Sequence, residues 1–416
     1  MKIYVQGGSC LKGEATVQGA KNSALPILAA TLLIEGQSVI HNCPRLTDVD
    51  VSLKILTKLG CRCKREEDTV IVDASSVSCD KIPDTLMREM RSSVVFLGAI
   101  LSRCKSATVS SPGGCELGPR PIDLHLKALS ELGYTINENH GYITCLKEDK
   151  TCAAVINLPF ASVGATENAI LASCLLNGKT IIHGAAKEPE ISDLADFLNS
   201  AGGKIYGAGS DTIEIYGVSK LYSTEHTVIP DRIVAATYLS AAAITGGEIV
   251  LKGVNPSHFN CVLNSFKETG CKIALSGSTL KLVAPKKLTR IPLTKTVVYP
   301  GFPTDAGPCL VAMLTLAKGT SVFVENIFEN RFKYIDELKR LGANISIQNK
   351  VAIIEGVDSL SGAVVEATDL RGGAALVVAA LAARGKTQIG AIHHIERGYE
   401  DISGVLSSLG AKIIKE

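Results

Sequence analysis

Six times along these 416 residues a short helical segment ends in Leu-Gly or a close variant and runs directly into a β-rich stretch. The glycines are Gly60, Gly133, Gly202, Gly270, Gly342 and Gly410, at intervals of 73, 69, 68, 72 and 68 residues. Each stands where a helix needs a left-handed C′ residue before the chain turns into a strand. A second kind of helix recurs in the same frame, beginning near Asn22, Ser92, Gly164, Arg232, Asp305 and Arg371. It is apolar nearly all round, as in Ala375-Leu-Val-Val-Ala-Ala-Leu-Ala-Ala, and such a helix must be buried. The first kind is amphipathic: Tyr334-Ile-Asp-Glu-Leu-Lys-Arg-Leu places charges between apolar residues at helical spacing. Short strands such as Ser321-Val-Phe-Val lie between the helices. A period well above the ~20–50 residues of solenoids argues for closed domains, and a chain of this length suits two. The fold class is therefore α/β, with two domains of three units each, sheets outside and buried helices within.

The bulk composition excludes several classes. Hydrophobic residues make up 46%, charged residues 20%, and the net charge is +2, which is ordinary for a globular protein and too small for a general nucleic-acid binder. Apolar runs such as Ala24 to Ile34 are too short to span a bilayer. The amino terminus lacks the apolar run and cleavage site of a signal peptide, so a cytoplasmic location is expected. Most of the 13 cysteines lie in apolar runs, where a thiol acts as a small core residue. Cys61-Arg62-Cys63 has no matching pair at zinc spacing, so no metal site is expected.

The starts of the apolar helices carry polar groups: Lys21-Asn22, Arg91-Ser92, Ser162-Val163-Gly164, Asp231-Arg232, Thr304-Asp305 and Asp369-Leu370-Arg371. Capping accounts for the Asp, Asn and Ser residues. It does not account for Lys21, Arg91, Arg232 and Arg371, because a cation opposes the positive end of the helix dipole. Their recurrence points to helix starts gathered on an anionic ligand.

These segments resemble the UDP-N-acetylglucosamine 1-carboxyvinyltransferase family of enolpyruvyl transferases over essentially the whole chain. The likeness rests on Gly19-Ala-Lys-Asn-Ser-Ala-Leu-Pro, Pro112-Gly-Gly-Cys-Glu-Leu-Gly-Pro-Arg-Pro-Ile-Asp-Leu-His and Ser162-Val-Gly-Ala-Thr-Glu. It continues in Glu188-Pro-Glu-Ile, Pro230-Asp-Arg-Ile, Pro300-Gly-Phe-Pro-Thr-Asp, Glu325-Asn-Ile-Phe-Glu-Asn-Arg-Phe, Thr368-Asp-Leu-Arg and Arg397-Gly-Tyr-Glu. The resemblance implies two inside-out α/β domains, 22–229 and 1–21 with 230–416. It implies transfer of the enolpyruvyl group of phosphoenolpyruvate to the 3-hydroxyl of UDP-N-acetylglucosamine with release of phosphate, the first committed step of peptidoglycan synthesis. Both substrates are small molecules, and a monomer without a membrane or nucleic-acid partner is expected.

By motif, Cys115 matches the proton donor and Asp305 the base that takes the hydroxyl proton. Lys21, Arg120 and Arg397 match a phosphate clamp, and Arg331 and Arg371 a carboxylate clamp, a task suited to the planar guanidinium fork. The nucleotide sugar falls to Asn22, Arg91, Arg120, Pro121, Ile122, Asp123, Leu124, Ser162, Val163, Gly164, Asp305 and Ile327. No cofactor is implied beyond a covalent phosphoenolpyruvate or pyruvate adduct on Cys115. Taken alone, Asp305 also reads as a first-turn capping residue, and His125 as a structural one.

Five positions depart from the family pattern: Val234 replaces a Glu, Ala236 a Gly, Gly307 a Gln, and Gly372-Gly373 an Ala-Ser pair. They suggest a divergent paralog. Two alternatives therefore stand beside the active transferase: a shikimate-3-phosphate enolpyruvyl transferase, and a non-catalytic protein that binds nucleotide sugar.

Overall fold

A computed structural model describes residues 1–110 and 122–416 and, at Arg91, the main chain alone. The chain divides into two compact units, one within residues 19–229, the other made of Met1–Gln18 and Pro230–Glu416. The first unit contains α1 (Lys21–Ala30), α2 (Thr47–Lys58), α3 (Asp84–Glu89), α4 (Phe96–Arg103), α5 (Asp123–Glu131), α6 (Val163–Ser173) and α7 (Pro189–Ser200). The second contains α8 (Arg232–Ile244), α9 (Asn260–Glu268), α10 (Gly307–Leu314), α11 (Tyr334–Arg340), α12 (Leu370–Ala382) and α13 (Ile402–Ser408).

The apolar helices are the buried ones. Every residue of α8 and of α10 is buried, and α12 is buried from Arg371 to Leu381. α8, α10 and α12 pack on one another, and α1, α4 and α6 form the interior of the other unit. The amphipathic helices lie over them: α2 buries Val49, Val51, Ile55 and Leu56 and leaves Lys54 and Lys58 exposed. All six repeat glycines take left-handed backbone, with φ from 83° at Gly133 to 103° at Gly60, at the start of the turn into a strand.

Among the described residues six sheets surround the helices, three in each unit. In three repeats a strand ahead of the buried helix runs parallel to the one after it, as Val364–Glu366 does beside Lys386–Gly390 across α12, and in two more the parallel partner comes from a distant segment. The surface helix then leads into an antiparallel hairpin, such as Asn344–Gln348 with Val351–Glu355. Three pairings join segments far apart in the chain. Thr224–Thr227 completes the sheet of Gln37–His41, and Lys12–Thr16 that of Glu248–Lys252. Ile3–Gln6 inserts between Lys386–Gly390 and Lys412–Lys415, in the place that the second hairpin strand holds in the other sheets. No helix among the described residues is long and apolar enough to cross a membrane.

Candidate active site

In the second unit the helix starts carry a cluster of charge. Asp231 caps α8, accepting from the amides of Ile233 at 2.8 Å and Val234 at 3.0 Å. Asp369 caps α12, accepting from the amides of Arg371 and Gly372, each at 3.0 Å. Asp305 occupies the 3-10 turn Thr304–Ala306 that leads into α10, and it faces two guanidiniums. Its Oδ1 accepts from Arg331 Nη2 at 2.8 Å, and its Oδ2 from Arg371 Nε at 3.3 Å. The two arginine side chains are 2% exposed and that of Asp305 is 28% exposed, so the carboxylate is the accessible member of the trio.

The arginines are held from behind. Arg331 Nη2 also donates to the Thr304 carbonyl at 3.1 Å, and its Nη1 lies 3.9 Å from Asp369 Oδ1. Arg371 Nη1 donates to the Tyr399 hydroxyl at 3.4 Å, and that hydroxyl pairs with Thr237 Oγ1 at 2.8 Å. Burial works against the Arg371 charge, but Asp305, Tyr399 and Asp231 more than offset it, leaving its pKa above the ordinary value. The guanidiniums that the resemblance matches to a substrate carboxylate thus hold a protein carboxylate here. Arg397 closes a 3-10 turn, Ile392–Arg397, two residues before the buried Tyr399, and Ile327 is exposed.

In the first unit Lys21 starts α1 with its ammonium 2.7 Å from Asp48 Oδ2 in the first turn of α2, and both side chains are buried. Asn22 is exposed beside it. Ser162 caps α6 through the Ala165 amide at 3.4 Å, with Val163 and Gly164 as the first helical residues. Gly164 has a steric reason to lack a side chain: a Cβ there would lie 2.8 Å from His125 Cε1. His125 is in turn fixed by Asn168, whose amide nitrogen lies 2.7 Å from its Nδ1 and whose oxygen accepts from the Gly98 amide at 2.7 Å. His125 is therefore a packing residue. Asp123 lies exposed at the start of α5, Ile122 before it is half-buried against the core, and Leu124 is buried. Cys115, Arg120, Pro121 and the side chain of Arg91 lie outside the described residues.

The departures from the family pattern are repacked. Val234 and Ala236 are core residues of α8. A Cβ at Gly307 would lie 2.6 Å from Phe323 Cζ, one at Gly372 2.8 Å from Tyr334 Cβ, and one at Gly373 2.7 Å from Ile395 Cγ1. At each of these three glycines a neighbouring side chain occupies the space that a Cβ would need. Among the described cysteines all twelve are free thiols, and burial pushes Cys61, Cys145 and Cys174 up to about 12, which leaves them inert.

The family model for EPSP synthase (3-phosphoshikimate 1-carboxyvinyltransferase) matches residues 5–406. The UDP-N-acetylglucosamine 1-carboxyvinyltransferase 2 of Caldanaerobacter subterraneus subsp. tengcongensis is 51% identical, over 100% of this chain and 99% of that protein. The chain belongs to the enolpyruvyl transferase family. Among its members, UDP-N-acetylglucosamine 1-carboxyvinyltransferase 1 of Symbiobacterium thermophilum is 49% identical over 99% of this chain and 94% of its own. The crystal structure of the enolpyruvyl transferase NikO from Streptomyces tendae superposes with a TM-score of 0.89 at 25% identity, covering 99% of this chain and 98% of that one. The six repeats and the inside-out arrangement of helices and sheets are thus those of an enolpyruvyl transferase.

Several residues around the site were not singled out from the sequence. Asp48, Tyr399, Thr237 and Glu325 sit inside motifs or helix turns whose ordinary reading is structural. Only Glu325 and Tyr399 carried a signal, as members of the Glu325-to-Phe332 and Arg397-to-Glu400 segments.

Proposed function

We propose that this chain adds the 3-hydroxyl of UDP-N-acetylglucosamine to C2 of phosphoenolpyruvate and then eliminates phosphate. The observation that carries the reading is Asp305, partly exposed and gripped by two buried guanidiniums, in a chain half identical along its length to proteins named for this reaction. Asp305 takes the hydroxyl proton as the C–O bond forms, and Cys115 delivers a proton to C3. Elimination then removes a proton from C3 and expels phosphate. Lys21, Arg120 and Arg397 neutralise the phosphate, and Arg331 and Arg371 the substrate carboxylate. A substrate carboxylate brought to these arginines competes with Asp305 for their donors and releases an aspartate oxygen for the sugar hydroxyl. Any adduct on Cys115 would be a covalent state of the same reaction.

The test is phosphate release from phosphoenolpyruvate with either UDP-N-acetylglucosamine or shikimate 3-phosphate as acceptor. Release with the nucleotide sugar alone is expected. Release with shikimate 3-phosphate alone would reassign the chain to the other branch of the family.

A further inference from the structure

Glu325 is buried, 1% exposed, and bonded only to neutral donors. Its Oε1 accepts from Thr296 Oγ1 at 2.9 Å and from the amides of Ile327 at 2.7 Å and Phe328 at 3.2 Å. Its Oε2 accepts from Thr304 Oγ1 at 2.8 Å. A buried carboxylate is expensive unless it is hydrogen-bonded, and here three donors meet Oε1 and one meets Oε2. The bonds also join three separate segments: the strand end at Thr296, the turn at 325–328, and the turn that carries Asp305.

Thr304 is held from two sides. Its hydroxyl donates to Glu325, and its carbonyl accepts from Arg331 at 3.1 Å. Glu325 and Arg331 are the two ends of one short segment, and both grip the residue immediately before Asp305. The segment is itself fixed, since the Asn326 amide donates to Thr296 Oγ1 at 2.8 Å and its side chain to the Thr296 carbonyl at 3.1 Å. The main chain on the amino-terminal side of Asp305 is therefore fixed, and with it the point from which the carboxylate reaches Arg331 and Arg371.

We propose that Glu325 is a positioning residue for Asp305, acting through the Thr304 hydroxyl, and that it aligns the same turn with Arg331. The inference rests on the reading of Asp305 as the base. Glu325 touches no reacting atom, so its effect is geometric: a carboxylate displaced by about 1 Å loses on the order of 100-fold in rate.

The experiment compares Thr304→Val, Thr304→Ser, Glu325→Gln and Asp305→Ala in steady-state turnover with UDP-N-acetylglucosamine and phosphoenolpyruvate, well below each variant's Tm. Thr304→Val removes only the hydroxyl, and kcat should fall by about 10- to 100-fold with the KM for nucleotide sugar little changed. Thr304→Ser restores the hydroxyl and should recover kcat to within a few-fold. Glu325→Gln keeps the shape and lets the Thr304 hydroxyl accept instead of donate, so it should resemble the serine variant in kcat. A Thr304→Val enzyme with unchanged kcat beside an inactive Asp305→Ala enzyme overturns the positioning role and leaves the function standing. A fully active Asp305→Ala enzyme overturns the reading beneath it. A Thr304→Val enzyme with lowered Tm but unchanged kcat assigns Glu325 to stability alone and likewise overturns the proposal.

Discussion

Asp305 and Arg371 meet twice on one oxygen: Oδ2 lies 3.3 Å from both Nε and Nη2 of the guanidinium, while Oδ1 is taken by Arg331. One carboxylate thus balances two buried cations, and its removal has two consequences. Asp305→Asn should lower kcat by at least about 100-fold while nucleotide-sugar binding changes little, because a base acts in the transition state. It should also cost about 1–3 kcal/mol of stability, less than a fully buried pair because Asp305 is partly exposed. Calorimetric titration of the nucleotide sugar and urea unfolding check both. Equal losses in kcat and affinity would return Asp305 to a structural role.

Lys21 has a buried counter-charge in Asp48 at 2.7 Å. Asp48→Ala removes one partner of a buried ion pair and should cost about 3 kcal/mol, whereas Lys21→Met combined with Asp48→Leu should cost less than Asp48→Ala alone. Urea unfolding of the two variants tests this, and a double variant no more stable than Asp48→Ala would contradict the coupling.

Gly307 is small because Phe323 fills its space. Gly307→Ala should destabilise by about 1–3 kcal/mol through overpacking. Phe323→Leu removes the obstruction at the cost of a cavity, so the double variant should lose clearly less than the sum of the two. Thermal unfolding of the set decides it, and a neutral Gly307→Ala would show that the ring moves freely.

Glu167 lies buried in α6, and burial first, then Glu190 and Glu188, push its carboxyl well above the usual carboxylate range. The folded chain therefore holds this proton more tightly than the unfolded one. Its contribution is fully present below the unfolded value of about 4.3 and is lost as pH rises towards the folded value. Glu167→Gln is neutral at every pH, so its Tm advantage over the wild type should grow from pH 5 to pH 8. A pH-independent difference would contradict the raised carboxyl.

The parts of this structure that were legible in the sequence are those with local causes. The repeat glycines announce themselves because a helix that turns into a strand needs left-handed backbone, and the buried helices because no exposed helix is apolar all round. Asp231 and Asp369 are caps in the ordinary way. The pairing of Lys12–Thr16 with Glu248–Lys252 had no local cue, since two strand-forming segments carry no record of each other. Asp48 was not singled out, because nothing in its neighbourhood marks Lys21 as its partner. Asp305 was legible as a polar residue at a helix start, but its grip on two arginines depends on a 3-10 turn and a helix start 26 and 66 residues away. The glycines at 307, 372 and 373 read only as departures, whereas in the fold a Cβ at each would run into a neighbouring side chain.

The central claim is catalysis by this chain itself, and the most direct measurement is the mass of the sugar nucleotide after incubation with the protein and phosphoenolpyruvate. UDP-N-acetylglucosamine should gain one enolpyruvyl group with an equal amount of phosphate released, and Cys115→Ser should abolish both at neutral pH. Nucleotide sugar that binds the wild-type protein yet is recovered unchanged would contradict the account and leave a binding protein on an enolpyruvyl transferase fold.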